Sequence, residues 1–152
     1  MQPSDDLVRF EPVADPRPDD DPWPPMIWPV PDGAVLAGEV VQLSALDPAA
    51  DAGKLMAVLD DDRVWAHVPG RPVGLGQLRQ TLGRLCSLDD WHLWVVRTRR
   101  AIGGLPAGTL VGVTAYLDAH PRDAWLEVGL TLYNPAVWAT AVNPEAKLLL
   151  LG

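Results

Sequence analysis

Glu127-Val-Gly-Leu-Thr-Leu-Tyr-Asn-Pro-Ala-Val-Trp-Ala-Thr-Ala-Val-Asn-Pro-Glu-Ala-Lys147 is the stretch on which the fold reading turns. Its first part belongs to a strand over 124–133. Leu126, Val128, Leu130 and Leu132 alternate there with Glu127, Gly129, Thr131 and Tyr133, so the leucine set faces one way and the glutamate set the other. A connection of small residues follows, and then a helix over 144–151 opened by Asn143 and Pro144. A helix N-terminus presents unpaired amide donors and a partial positive charge. Ala139 and Ala141 keep the connection slim enough for a phosphate to approach the backbone, and Pro144 removes only one donor. Read alone, the pattern is an anion site in outline, and equally a plain strand-to-helix connection.

Upstream, the periodicity is helical first and alternating later. Gly38 to Ser44 reads as a first strand. Asp47-Pro48 opens a helix over 47–60, with Asp47 as N-cap and Ala52, Leu55, Met56 and Leu59 on one apolar stripe. Arg63 to Val68 is a brief helix stopped by Pro69-Gly70. A further helix spans 74–87, with Leu75, Leu78, Leu82 and Leu85 on one side. After Asp89-Asp90 come strands over 91–98 and 110–117, separated by a glycine-rich turn at 99–108 and followed by a turn at 118–123. Strands 91–98, 110–117 and 124–133 should form an antiparallel meander, giving an α/β (α+β) domain with helices on the sheet.

Residues 1–36 read as a separate arm before a domain over 37–152. Seven prolines lie between Pro16 and Pro31, so the stretch should be extended and irregular. Trp23, Met26, Ile27, Trp28 and Val30 interrupt it, and Trp23 or Trp28 is expected to pack on the body or on a partner chain. Nine of the 20 acids but two of the 12 Lys and Arg residues fall in 1–39, so the arm carries most of the net charge of −8. The nearly neutral body argues against nucleic-acid binding, which needs a basic face. Cys86 is the only cysteine, which points to a cytoplasmic protein without a disulfide. The N-terminus lacks the basic start and apolar run of a signal peptide, and no window has the roughly 18 apolar residues of a membrane span, so a soluble chain is expected.

The remaining reactive residue types form no constellation. His67, His92 and His120 are scattered and share no metal-ligand spacing with a carboxylate or cysteine, so no metal is expected. Gly74-Leu75-Gly76 follows no strand and lacks a third glycine. Ser44 and Ser87 have no nucleophile-elbow context, and Cys86 sits beside an apolar stripe. Trp65, Trp91 and Trp94 read as packing residues that could border a pocket.

The opening segment closely resembles GNAT acetyltransferases of the branch that includes the ribosomal-protein alanine acetyltransferases. Those commonly show Glu-(Ile/Val)-Gly on the fourth strand, then Trp-Gly-Thr-Gly-x-Asn-x-Glu-(Ala/Cys)-Lys and a leucine run. Here the segment reads Glu127-Val128-Gly129, then Trp138-Ala139-Thr140-Ala141-Val142-Asn143-Pro144-Glu145-Ala146-Lys147 and Leu148–Leu151. Val40 to Asp47, Val64-Trp65 and Leu110 to Thr114 resemble earlier parts of the family pattern, so the likeness covers about 36–152.

The resemblance implies a GNAT-like mixed sheet and acetyl transfer from acetyl-coenzyme A to a primary amine, either a protein N-terminus or a small molecule. It implies that Leu130, Thr131 and Leu132 meet the pantetheine arm. The amides of Trp138, Ala139, Thr140, Ala141, Val142 and Asn143 would receive the pyrophosphate. Glu127 is the candidate base for the amine; read alone, it is equally a surface strand glutamate. Two departures stand out. Alanine replaces glycine at 139 and 141, and alanine tolerates a positive φ less well. The family also continues after the leucines through a fifth strand, another helix and a final hairpin. The expectation is therefore a partial domain, with strand 124–133 an open edge that could pair in a homodimer, as could the arm. The alternative is an inactive remnant or subunit of the same fold that acts only in binding or oligomerisation.

Overall fold

The structure, a computed structural model, describes residue 14 and residues 24–152. Most of the acidic arm, with Trp23, lies outside the described residues. The first helix forms where its caps demand. The Asp47 carboxylate accepts from the Ala49 amide at 2.8 Å, Pro48 takes the first turn, and Leu59 N–H closes the last turn on the Leu55 carbonyl. This is α1 (Pro48–Val58). A short α2 (Asp62–Trp65) is capped in the same way by Asp61, and α3 (Leu75–Cys86) buries Leu78 and Leu82.

The strands are β1 (Val35–Ala37), β2 (Val41–Ala45), β3 (His92–Thr98), β4 (Leu110–His120) and β5 (Trp125–Tyr133). They form one sheet in the order β1-β2-β3-β4-β5, with all four pairings antiparallel. The expected meander is β3, β4 and β5. Both faces are covered. Leu93 and Val95 of β3 point to α1 and α3, while Trp94 and Val96 point to α4 (Val142–Leu151). Burying side chains such as Leu55 and Val95 contributes roughly 2 kcal/mol each.

Three boundaries differ from the sequence reading. The strand expected over 38–44 is β2, which starts only at Val41, and β1 precedes it at Val35–Ala37, partly within the stretch read as the arm, with Gly38–Val40 between the two. The Glu145 carboxylate of α4 takes the amides of Glu39, Val40 and Val41 at 2.9, 2.7 and 2.7 Å, which withdraws them from a ladder. A Cβ on Gly38 would lie 2.4 Å from the Glu145 side chain, so only glycine fits this approach. Helix α4 begins at Val142 rather than at 144, and Asn143 and Pro144 sit inside its first turn. Strand β4 runs on to His120 before a short turn at Pro121–Asp123. The glycine-rich turn contains a small hairpin at Ile102 and Leu105, with Gly103 and Gly104 at φ +61° and +77°. Gly103 lies against the Ala136 carbonyl, where a Cβ would be 2.1 Å away.

The expected facing of strand 124–133 is corrected. Val113 pairs with Leu132, but Ala115 pairs with Gly129, so β5 holds an extra residue at this point. Leu130 adopts φ +46° there. The bulge reverses the alternation beyond it. Leu130 and Leu132 join the cluster under α1 and α3, while Val128 packs on the α4 face with Tyr133. Glu127 pairs with Leu117, a member of the α1–α3 cluster, so it shares a face with Leu130 and Leu132 rather than opposing them.

The candidate site at the end of strand β5

Beyond the bulge, the chain is held by its own turn chemistry. Asn134 Nδ2 donates to the Val58 carbonyl at 2.8 Å, and Asn134 Oδ1 accepts from the Ala136 amide at 2.8 Å. These bonds tie the Pro135–Val137 turn to the end of α1. Trp138 Nε1 donates to the Tyr133 carbonyl at 3.0 Å. The Thr140 hydroxyl donates to the Val137 carbonyl at 2.6 Å and lies 3.3 Å from the Val142 amide, a hydroxyl cap that the short side chain of Ala141 cannot supply.

Ala139 adopts φ +58°, so the left-handed conformation is required at this alanine, whereas Ala141 is right-handed at φ −72°. An L-residue in that conformation costs roughly 1 kcal/mol. The consequence is a loop whose amides turn outward. Among the described residues, the N–H groups of Ala139, Thr140, Ala141 and Asn143 have no hydrogen-bond partner. The first intrahelical bond runs from the Glu145 amide to the Ala141 carbonyl, and Pro144 has no N–H to satisfy.

Ala139, Thr140 and Asn143 border a cleft of about 530 Å³. Val64 and Val68 form one wall, Thr131, Leu132 and Tyr133 another, and Trp138, Ala139, Thr140 and Asn143 the third. Among the described residues, no carboxylate lines it. Glu145, the acid nearest in sequence, is turned away to β2. Free amides, a positive helix end and the absence of acids suit a phosphate-bearing ligand. A second cavity of about 160 Å³ adjoins at Leu132 and Val68. It is almost wholly apolar, lies between α1, α3 and the sheet, and includes Leu130.

The expected binding residues therefore divide. Thr131, Leu132, Trp138, Ala139, Thr140 and Asn143 line one cleft. Leu130 lines the adjoining apolar cavity. The amides of Trp138 and Val142, expected to be free for an anion, are taken by the Pro135 carbonyl and the Thr140 hydroxyl, and the Val142 side chain is buried in the core. Ala141 has a free amide among the described residues but does not line the cleft. Glu127 is exposed and lines neither space. Among the described residues, no group of three or more His, Cys, Asp or Glu could hold a metal ion, and no helix is long and apolar enough to cross a membrane.

Sequence reasoning missed Tyr133 and Lys147. Tyr133 is 7% exposed, lines the cleft, and among the described residues its hydroxyl has no partner; burial pushes its pKa well up. Lys147 points from α4 to the sheet. Its ammonium donates to the hydroxyls of Thr131 at 2.6 Å and Thr114 at 3.1 Å, and burial lowers its pKa. A lone lysine before a run of leucines was the available signal.

No protein-family model matches the chain, and no curated protein matches it. Solved structures do. A probable GNAT-family acetyltransferase from Chromobacterium violaceum ATCC 12472 gives a TM-score of 0.75 at 24% identity, over 93% of this chain and 69% of that one. A GCN5-related N-acetyltransferase from Brucella melitensis gives 0.70 at 19% identity, over 85% of this chain and 57% of that one. A putative acetyltransferase from T. thermophilus gives 0.65 at 25% identity, over 82% and 61%. The chain has the GNAT acetyltransferase fold, as the sequence resemblance implied. It spans less than two thirds of the length of the latter two proteins.

Proposed function

We propose that the cleft at the end of β5 binds acetyl-coenzyme A and that the protein transfers its acetyl group to a primary amine. The observation that carries the reading is a conjunction. The bulged strand edge at Leu130–Leu132 and the free amides of Ala139, Thr140 and Asn143 border adjoining spaces, one suited to a linear arm and the other to a pyrophosphate. The amides of Ala139, Thr140, Ala141 and Asn143 would hold the pyrophosphate, and Thr131, Leu132 and Trp138 would flank the pantetheine. The free edge of β5 offers backbone donors and acceptors to its amides, as an added strand would.

The chemistry asked of the site is modest. The amine must be neutral, its nitrogen attacks the thioester carbonyl, the C–S bond breaks, and the departing sulfur takes up a proton. Holding the two reactants together supplies much of the rate. Glu127 is the proposed base. It lies on the same sheet face as Leu130 and Leu132, exposed, and acts through water rather than by direct contact. A protein N-terminus or a small amine satisfies this chemistry equally.

The test is thiol release from acetyl-coenzyme A with a panel of amines, read beside thermal stability. The expected result is a raised melting temperature with the cofactor alone and thiol release with at least one amine. A folded sample whose melting temperature is unmoved by millimolar acetyl-coenzyme A refutes the binding reading.

A second reading is a non-catalytic module of the same fold. It is favoured by the edge of β5, unpartnered among the described residues, and by Leu148 and Leu151, 70% and 76% exposed. It expects self-association by sedimentation and no thiol release with any amine.

A further inference from the structure

The bulge on β5 has a support of its own. Between the pairs Val113–Leu132 and Ala115–Gly129, Thr114 of β4 faces two residues of β5, so the ladder is interrupted at the point where the cleft needs a defined wall. Thr114 is fully buried. Its hydroxyl lies 3.0 Å from the Thr131 hydroxyl, and both lie 3.4 Å from the Gly129 carbonyl, the residue before the bulge. Lys147 closes this group, donating to Thr131 and to Thr114. The ammonium is half-buried and makes no salt bridge among the described residues.

A lysine on the solvent side of a surface helix would keep its head in water. Lys147 instead places it behind the strand, one hydroxyl away from the cleft that Thr131 lines. Charge-assisted bonds to neutral hydroxyls are stronger than the hydroxyl pair alone. They fix the Thr131 side chain on the α4 face and so fix the local twist that leaves Leu130 and Leu132 facing the other way.

We infer that Lys147 is a positioning residue whose ammonium, acting through Thr131, holds the Leu130 bulge in the form that grips the arm of an acyl-coenzyme A. The inference rests on the acetyl-coenzyme A reading above, and Lys147 itself touches no substrate. It makes α4 a two-ended device. The N-terminus offers amides to the ligand, and a side chain one turn further on sets the strand that the ligand lies along.

Lys147→Met keeps the apolar stem and removes the donor; Thr131→Val removes the acceptor. Coenzyme A affinity by calorimetry should fall about tenfold in each, the size of one charge-assisted hydrogen bond lost. The double variant should fall no further than either single one. Acetyl-coenzyme A KM should rise with kcat little changed, and amide exchange at Leu130–Leu132 should quicken without any ligand. Asp51→Asn, far from the cleft and also destabilising, is the control and should leave affinity unchanged. Wild-type affinity in Lys147→Met, additive losses in the double variant, or an equal loss in Asp51→Asn overturns the inference. If the wild-type protein binds no coenzyme A, the functional reading fails instead. Exchange at the bulge then decides the pinning by itself: unchanged rates in Lys147→Met overturn it.

Discussion

Replacing Glu145 with alanine tests how α4 is moored, because three backbone amides of another element end on that one carboxylate. Glu39 N–H is exposed and turns to water when the carboxylate is lost. Val40 and Val41 are 5% and 0% exposed, and their amides have no such outlet. A buried amide left unpaired costs about 1–3 kcal/mol, so two of them, with some water entering the space vacated, give a loss of about 3 kcal/mol. Urea unfolding measures it; the midpoint should fall with the m-value unchanged.

Glu145→Gln separates shape from charge. Its amide oxygen, in the place of Oε2, still accepts from Val40 and Val41, while its NH₂ meets only the exposed Glu39 amide donor to donor, so the loss should be well below that of Glu145→Ala. The pH dependence has a definite sign. Burial works to raise the Glu145 pKa, but the amides of Val41, Val40 and Glu39, with the Arg100 charge, together bring it below the ordinary 4.5. A carboxyl lowered on folding contributes stability that is full above its unfolded pKa and is lost as pH falls through the lowered value. Wild-type stability should therefore drop below about pH 4.5 more steeply than that of Glu145→Gln. A loss under 0.5 kcal/mol in Glu145→Ala, or parallel acid profiles, refutes the mooring.

Ala139→Gly should leave stability unchanged or raise it by up to about 1 kcal/mol, since relief of φ +58° outweighs the added chain entropy; Ala139→Val should lower it by more than about 1 kcal/mol, both read by denaturant midpoints. Asp51→Ala should cost about 3 kcal/mol, because the 5%-exposed carboxylate is the partner of Arg97 at 2.6 Å and also accepts from the Asp47 amide; the loss should be far smaller in Asp51→Ala when Arg97→Met is already present. Glu127→Gln should lower kcat while leaving the coenzyme A affinity as it was.

The sequence was most readable where structure is decided locally. Asp47-Pro48 capped α1 as its residue types require, and the alternation of 91–98 and 110–117 led to β3 and β4. The helix after Trp138 was legible because small residues, Asn143 and Pro144 precede an apolar run. What escaped was set by contacts distant in the chain. Glu145 breaks the first strand from 104 to 106 residues away, and Arg97 allows Asp51 to be buried from 46 residues away. The bulge has no sequence mark, since leucine at Leu130 promises a regular strand; its cause is the threonine pair and the lysine that brace it. Regular alternation through 124–133 therefore placed Glu127 on the wrong side of the leucines, and it was the family resemblance, not the alternation, that pointed to Thr131, Leu132, Trp138, Ala139, Thr140 and Asn143 at the cleft.

The central claim is that the loop amides before α4 and the bulged end of β5 form one site for coenzyme A. Backbone amide chemical shifts of the full chain, followed as coenzyme A is added, test it most directly. The account predicts saturable shifts centred on Thr131, Leu132, Ala139, Thr140, Ala141 and Asn143, with Val35–Ala37 of β1 unmoved. A folded protein whose amides at 139–143 keep their positions at millimolar coenzyme A, or whose shifts gather elsewhere, contradicts it.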